Sequence, residues 1–71
     1  MERIKVDSKS ISEIGYDGDA QTLEVKFPRG SIYEYYNIPH KLVFDFMFAE
    51  SKGKYFNKNI QNNFKFKKVS E

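Results

Sequence analysis

The chain has 71 residues, a net charge of +2, no cysteine, seven Phe and five Tyr. This excludes a disulfide framework and a thiolate metal site, and it leaves one small, ring-rich core that buries roughly 60% of the surface the unfolded chain exposes. No stretch approaches the roughly 20 apolar residues of a membrane-spanning helix, and the opening MERIKVDSKS lacks the apolar run of a signal peptide. A cytoplasmic protein without a membrane partner is the expectation.

Arg3 to Val6 alternates basic and apolar residues, which suits a short edge strand whose charges discourage further pairing. Ser10 to Tyr16 is a second strand candidate, followed by a turn at Asp17-Gly18-Asp19. Thr22 to Phe27 alternates most clearly, with Leu23, Val25 and Phe27 on one face and Thr22, Glu24 and Lys26 on the other. Pro28-Arg29-Gly30 then turns the chain, its glycine free to take positive φ, and Ser31 to Tyr36 returns as the partner strand.

Asn37-Ile38-Pro39 reads as the entrance of a helix from about His40 to Glu50, with Asn37 as its cap and Leu42, Val43, Phe46 and Ala49 on its buried face. Gly53 is placed to end it. Phe56, Ile60 and Phe64 recur every four residues, which predicts a short second helix from about Asn57, capped by that residue. Phe64-Lys65-Phe66-Lys67 alternates as a strand does, aromatic on one face and cationic on the other. No repeat or linker interrupts residues 1–71, so the expected architecture is one α+β domain. It would comprise a small antiparallel meander of three to five short strands, covered by one main helix, with a short second helix.

Enzymatic motifs fail on spacing. His40 is the single histidine, which makes a zinc site or a serine triad improbable, and no serine sits in a Gly-x-Ser-x-Gly elbow. Asp17-Gly18-Asp19 fails as an EF-hand because the required glycine and glutamate fall at Thr22 and Pro28. Gly53-Lys54 fails as a P-loop because Phe48 and Tyr55 occupy the outer motif positions. Glu13, Glu24, Glu34, Asp45 and Glu50 are spread over different elements with no convergent pair. A non-enzyme with no cofactor and no metal is expected.

Ile14-Gly15-Tyr16-Asp17, Thr22-Leu23-x-Val25-x-Phe27, Gly30 with Tyr33 and Tyr35, Ile38-Pro39, Ala49-x-Ser51-x-Gly53, and Tyr55-Phe56-Asn57 with Ile60 follow one another along nearly the whole chain. In order and spacing they resemble the KTSC domain, a family of short bacterial, archaeal and phage proteins named from a copy fused to the C-terminus of some lysyl-tRNA synthetases. The resemblance implies a compact α+β domain and, through the synthetase context, nucleic-acid binding, with no catalytic residues to carry over. Within the matching pieces, Gly15 suggests a bulge or a close backbone approach, and Tyr16, Tyr33 and Tyr35 suit either core packing or stacking on a ligand.

Charge is the strongest partner signal. Residues 1–50 carry −3, whereas residues 51–71 carry six lysines against Glu71 alone, or +5. Lysines gain free energy at phosphates by releasing counterions, and aromatic rings stack on bases. The expected nucleic-acid site, for RNA or DNA, therefore consists of Lys52, Lys54, Lys58, Lys65 and Lys67 with Tyr55 as the stacking ring. Asn57 either donates to the ligand or caps the helix. Two other readings stay open: a solvated basic face, and a protein-docking module served by aromatics that so small a core cannot all bury. The oligomeric state is open as well.

Overall fold

The computed structural model describes residues 3–70. Five strands, β1 (Arg3–Lys5), β2 (Glu13–Asp17), β3 (Thr22–Lys26), β4 (Ile32–Tyr35) and β5 (Phe66–Ser70), form one antiparallel sheet in that spatial order. Two helices, α1 (His40–Met47) and α2 (Lys52–Asn59), lie between β4 and β5 in the chain. This is the α+β meander expected from the sequence, with five strands. The two helices are of equal length, eight residues each, rather than one main and one short.

Alternation sets the register. Ile14 stands opposite Val25, Tyr16 opposite Leu23, Leu23 opposite Tyr35 and Val25 opposite Tyr33, so these side chains share the face that the helices cover. Ile11, Ile14, Leu23, Val25 and Tyr35 from the sheet side are buried against Ile38, Phe46, Phe56 and Ile60. The other face carries a cross-strand row, Arg3, Gly15, Glu24, Glu34 and Lys67. There the Arg3 guanidinium donates to Glu13 at 3.1 Å and also to Glu24. The ladder runs straight through Gly15, and the bulge falls instead between β4 and β5, at Ile32/Tyr33.

Both tight turns follow from local chemistry. The Asp17 carboxylate accepts from the Asp19 and Ala20 amides at 3.1 and 3.3 Å, and Gln21 takes φ 53° to re-enter β3. Gly30 has φ 98°, as its turn requires, and its amide donates to the Phe27 carbonyl at 2.8 Å.

The helix boundaries differ from the expected ones. Asn37 does not cap α1: it takes φ 60°, and Pro39 occupies the cap position without a side-chain bond. α1 stops at Met47, where the Ala49 amide donates to the Phe46 carbonyl at 3.2 Å, closing the last turn more tightly than an α-helix does. Neither Gly53 nor Asn57 marks a boundary. Ser51 is the cap of α2, its hydroxyl accepting from the Lys54 amide at 3.4 Å, so Gly53 lies in the first turn and Asn57 in the middle. Gly53 serves close packing: a Cβ there would meet Ser10 Oγ at 2.8 Å and Ser10 Cβ at 2.9 Å.

Candidate nucleic-acid interface

α2 is amphipathic in a simple way. Phe56 and Ile60 anchor it in the core, while Lys54, Asn57 and Lys58, three or four residues apart, form one exposed stripe. Two other residues of the expected site are engaged inside the protein. Lys52 is half-buried, and its ammonium donates to the Ala49 carbonyl at 3.3 Å, holding the loop between the helices. The Tyr55 ring stacks on Phe46 at 5.7 Å with 16° between the planes, and its hydroxyl donates to the Leu42 carbonyl at 3.4 Å. Burial, and then the charge of Asp45, raises the Tyr55 hydroxyl above its ordinary pKa.

The expected lysines do not form one patch. Phe66 points to the helix side of the sheet, so by alternation Lys65 and Lys67 point away from it. Lys67 stands opposite Glu34, in the row that also holds Glu24. Carboxylates so close repel a polyanion, and a lysine among them is a poor phosphate ligand. The β5 lysine on the helix side is Lys68, whose register partner is Tyr33.

Between α2, the β3–β4 turn and β5 lies an open cleft of about 410 Å³. Its wall is a closed circuit of five aromatic rings. Phe27 meets Tyr33 at 5.7 Å, Tyr33 meets Phe66 at 5.8 Å, Phe66 meets Tyr35 at 5.4 Å, Tyr35 meets Phe56 at 5.3 Å, and Phe56 meets Phe27 at 5.6 Å. Phe66 is the open member, 54% exposed, whereas Tyr35 and Phe56 are buried. Burial, with Tyr33 as a smaller cause, raises the Tyr35 hydroxyl above its ordinary pKa. Asn57, Gln61 and Asn62 line the α2 side, and Arg29 from the β3–β4 turn is the one formal charge in the lining.

Of the expected site, the fold thus brings Asn57 to the cleft and Lys54 and Lys58 to the stripe beside it. Arg29 and Phe66, which line the cleft, and Lys68, on the helix side of β5, lie outside the expected site. Arg29 read only as a turn residue, and the sides of β5 become distinguishable only once its register against β4 is known. His40 is exposed at the first position of α1 and meets Tyr16 edge-on at 5.3 Å. No group of three or more His, Asp or Glu that would hold a metal occurs among the described residues, and no helix there is long and apolar enough to cross a membrane.

A second surface feature lies on α1. Phe44 and Phe48, one turn apart, are 63% and 76% exposed, with ring centres 4.8 Å apart.

The KTSC domain model matches residues 7–64. A lysine–tRNA ligase of Nostoc punctiforme is 39% identical over 67 residues, which are 94% of this chain and 12% of the ligase. The lysine–tRNA ligase of Trichormus variabilis is 37% identical over the same shares. The chain thus spans only about an eighth of the ligases it matches. An uncharacterized protein of Stutzerimonas stutzeri is 39% identical over 57 residues, 80% of each chain. The crystal structure of a KTSC domain protein from Yersinia pestis superposes with a TM-score of 0.92 at 37% identity, covering 97% of both chains.

Proposed function

Because the chain belongs to the KTSC domain family, we propose that it is a non-catalytic module that binds single-stranded nucleic acid, RNA in preference to DNA, in the cytoplasm. The carrying observation is the stretch from Ser51 to Ser70, which contains no carboxylate and which folds into the two elements, α2 and β5, that flank an aromatic cleft. Lys54 and Lys58 supply the electrostatic contact to a phosphate backbone, and the open Phe66 ring supplies a stacking surface for an unpaired base. RNA is the preferred polymer because relatives of this chain are lysine–tRNA ligases, whose substrate by name is a tRNA.

The test is fluorescence anisotropy with single-stranded and duplex RNA and DNA at several salt concentrations. With Arg29, Lys54 and Lys58 on phosphates, log affinity for a single strand falls against log salt with a slope of about −2. Replacing Lys54 and Lys58 by Ala reduces the slope to roughly −0.7, whereas the Lys67→Ala change leaves it intact. Absence of binding at low salt sinks the reading.

A second reading, docking on a protein, is favoured by the exposed Phe44–Phe48 pair, since large rings enrich interface centres. It predicts that Phe44→Ser with Phe48→Ser abolishes a partner contact while nucleic-acid affinity stays unchanged.

A further inference from the structure

Several polar side chains are committed within the fold. Tyr16 donates to the Ile38 carbonyl, Tyr36 to Glu34 at 3.2 Å and Tyr55 to the Leu42 carbonyl at 3.4 Å. Asn59 and Asn63 donate to backbone carbonyls at 3.2 and 3.0 Å, and Arg3 holds two glutamates. By contrast, the hydroxyls of Tyr33 and Tyr35, the amides of Asn57, Gln61 and Asn62, and the Arg29 guanidinium have no side-chain hydrogen bond or ion pair among the described residues. All six line the aromatic cleft. Unpaired polar groups scattered over a surface are ordinary, because water satisfies them. Here six such groups share one concavity around a circuit of rings, with a lone cation and no carboxylate in the lining.

We propose that this cleft is a one-nucleotide site: an unpaired base stacks on Phe66, its polar edge meets the amides of Asn57 and Gln61, and its phosphate pairs with Arg29. The assignment deepens the single-strand reading above and rests on it for the choice of ligand. At about 410 Å³ the cleft lies near the lower end of the roughly 300–1,000 Å³ typical of small-ligand sites, which suits one nucleotide and no helical stack. The guanidinium fork matches a phosphate bidentately. Each amide offers both donor and acceptor, so Asn57 and Gln61 can meet the edge of any base, and weak selectivity among bases follows.

The experiment is a two-dimensional 15N NMR titration of the full chain with AMP, adenosine, UMP, ribose 5-phosphate, inorganic phosphate and phosphotyrosine. Side-chain amides and the Arg29 Nε–H report directly in this spectrum. AMP and UMP shift the Asn57 and Gln61 amide signals and Arg29 Nε–H, and ribose 5-phosphate binds roughly tenfold more weakly or worse for want of a base to stack. Phe66→Ala weakens AMP by a similar factor, while Phe66→Tyr retains it. Arg29→Ala makes AMP bind no better than adenosine. Both positions are exposed, and the folded spectrum of each variant serves as its control. Cleft signals unmoved by either nucleotide, or moved equally by ribose 5-phosphate or by phosphotyrosine, overturn the proposal. Single-stranded RNA binding with silent nucleotides removes the cleft assignment alone. Cleft shifts with AMP in a protein that binds no polymer would support the cleft and remove only the polymer reading.

Discussion

Replacing Gly53 by Ala separates two physical effects of opposite sign. Gly53 is the second residue of α2, and by propensity alone an alanine in a helix is favoured over glycine by about 1 kcal/mol, less in a first turn. Packing opposes this. The added methyl would meet Ser10 Oγ at 2.8 Å and Ser10 Cβ at 2.9 Å, and although the hydroxyl can rotate away, the Cβ cannot without moving the chain before β2. Overpacking of this kind costs about 1–3 kcal/mol, so the net expectation is a loss of about 0–2 kcal/mol. At about 4–8 °C per kcal/mol, the melting temperature falls by up to roughly 15 °C. Ser10→Gly removes both clashing atoms, and in that background Gly53→Ala stabilises by the helix term. The assay is urea and thermal unfolding of the four proteins of the cycle, read as a coupling of about 1–3 kcal/mol. If alanine at position 53 stabilises both backgrounds equally, the close approach is not what the glycine is for.

Two further outcomes follow from the same packing. Phe56→Ala removes a buried ring that touches Phe27, Tyr35 and Phe46, and it costs about 3–5 kcal/mol, enough to unfold much of a 71-residue protein at 37 °C by circular dichroism. Burial raises the hydroxyls of Tyr16, Tyr35 and Tyr55 above the ordinary value of 10.0, so the unfolded chain releases these protons first. The stability they contribute is complete below about pH 10 and is lost as pH rises through the folded-state values. Urea midpoints between pH 8 and pH 11 will therefore hold level and then decline, and a rise above pH 10 would contradict this sign.

Much of the scaffold is legible in the residue pattern. The alternation of Leu23, Val25 and Phe27 identifies β3 and its buried face, and Pro28-Arg29-Gly30 identifies the turn with its positive-φ glycine. The helix boundaries are less legible because several residues suit the same role. Ser51, Gly53 and Asn57 are all good terminus residues, and only the close approach of Ser10, a contact across more than forty positions, explains the glycine inside α2. The candidate site was legible in composition and not in geometry. The lysine-rich end is plain in the sequence, but Lys65 and Lys67 are separated from Lys54 and Lys58 by the two faces of a strand whose register, Glu34 opposite Lys67 and Tyr35 opposite Phe66, depends on its pairing with β4. The ring circuit joins residues from β3, β4, α2 and β5, and Arg29 reaches it from a turn, so no local pattern announces it.

The most direct test of the account is photo-crosslinking of the protein to a short single-stranded RNA carrying 5-iodouridine, with the adducts mapped by mass spectrometry. The account predicts adducts concentrated on the cleft rings Phe66 and Tyr33, lost on competition with unlabelled single strand and weakened by raised salt. Adducts confined to Phe44 and Phe48, or none at low salt, would contradict it.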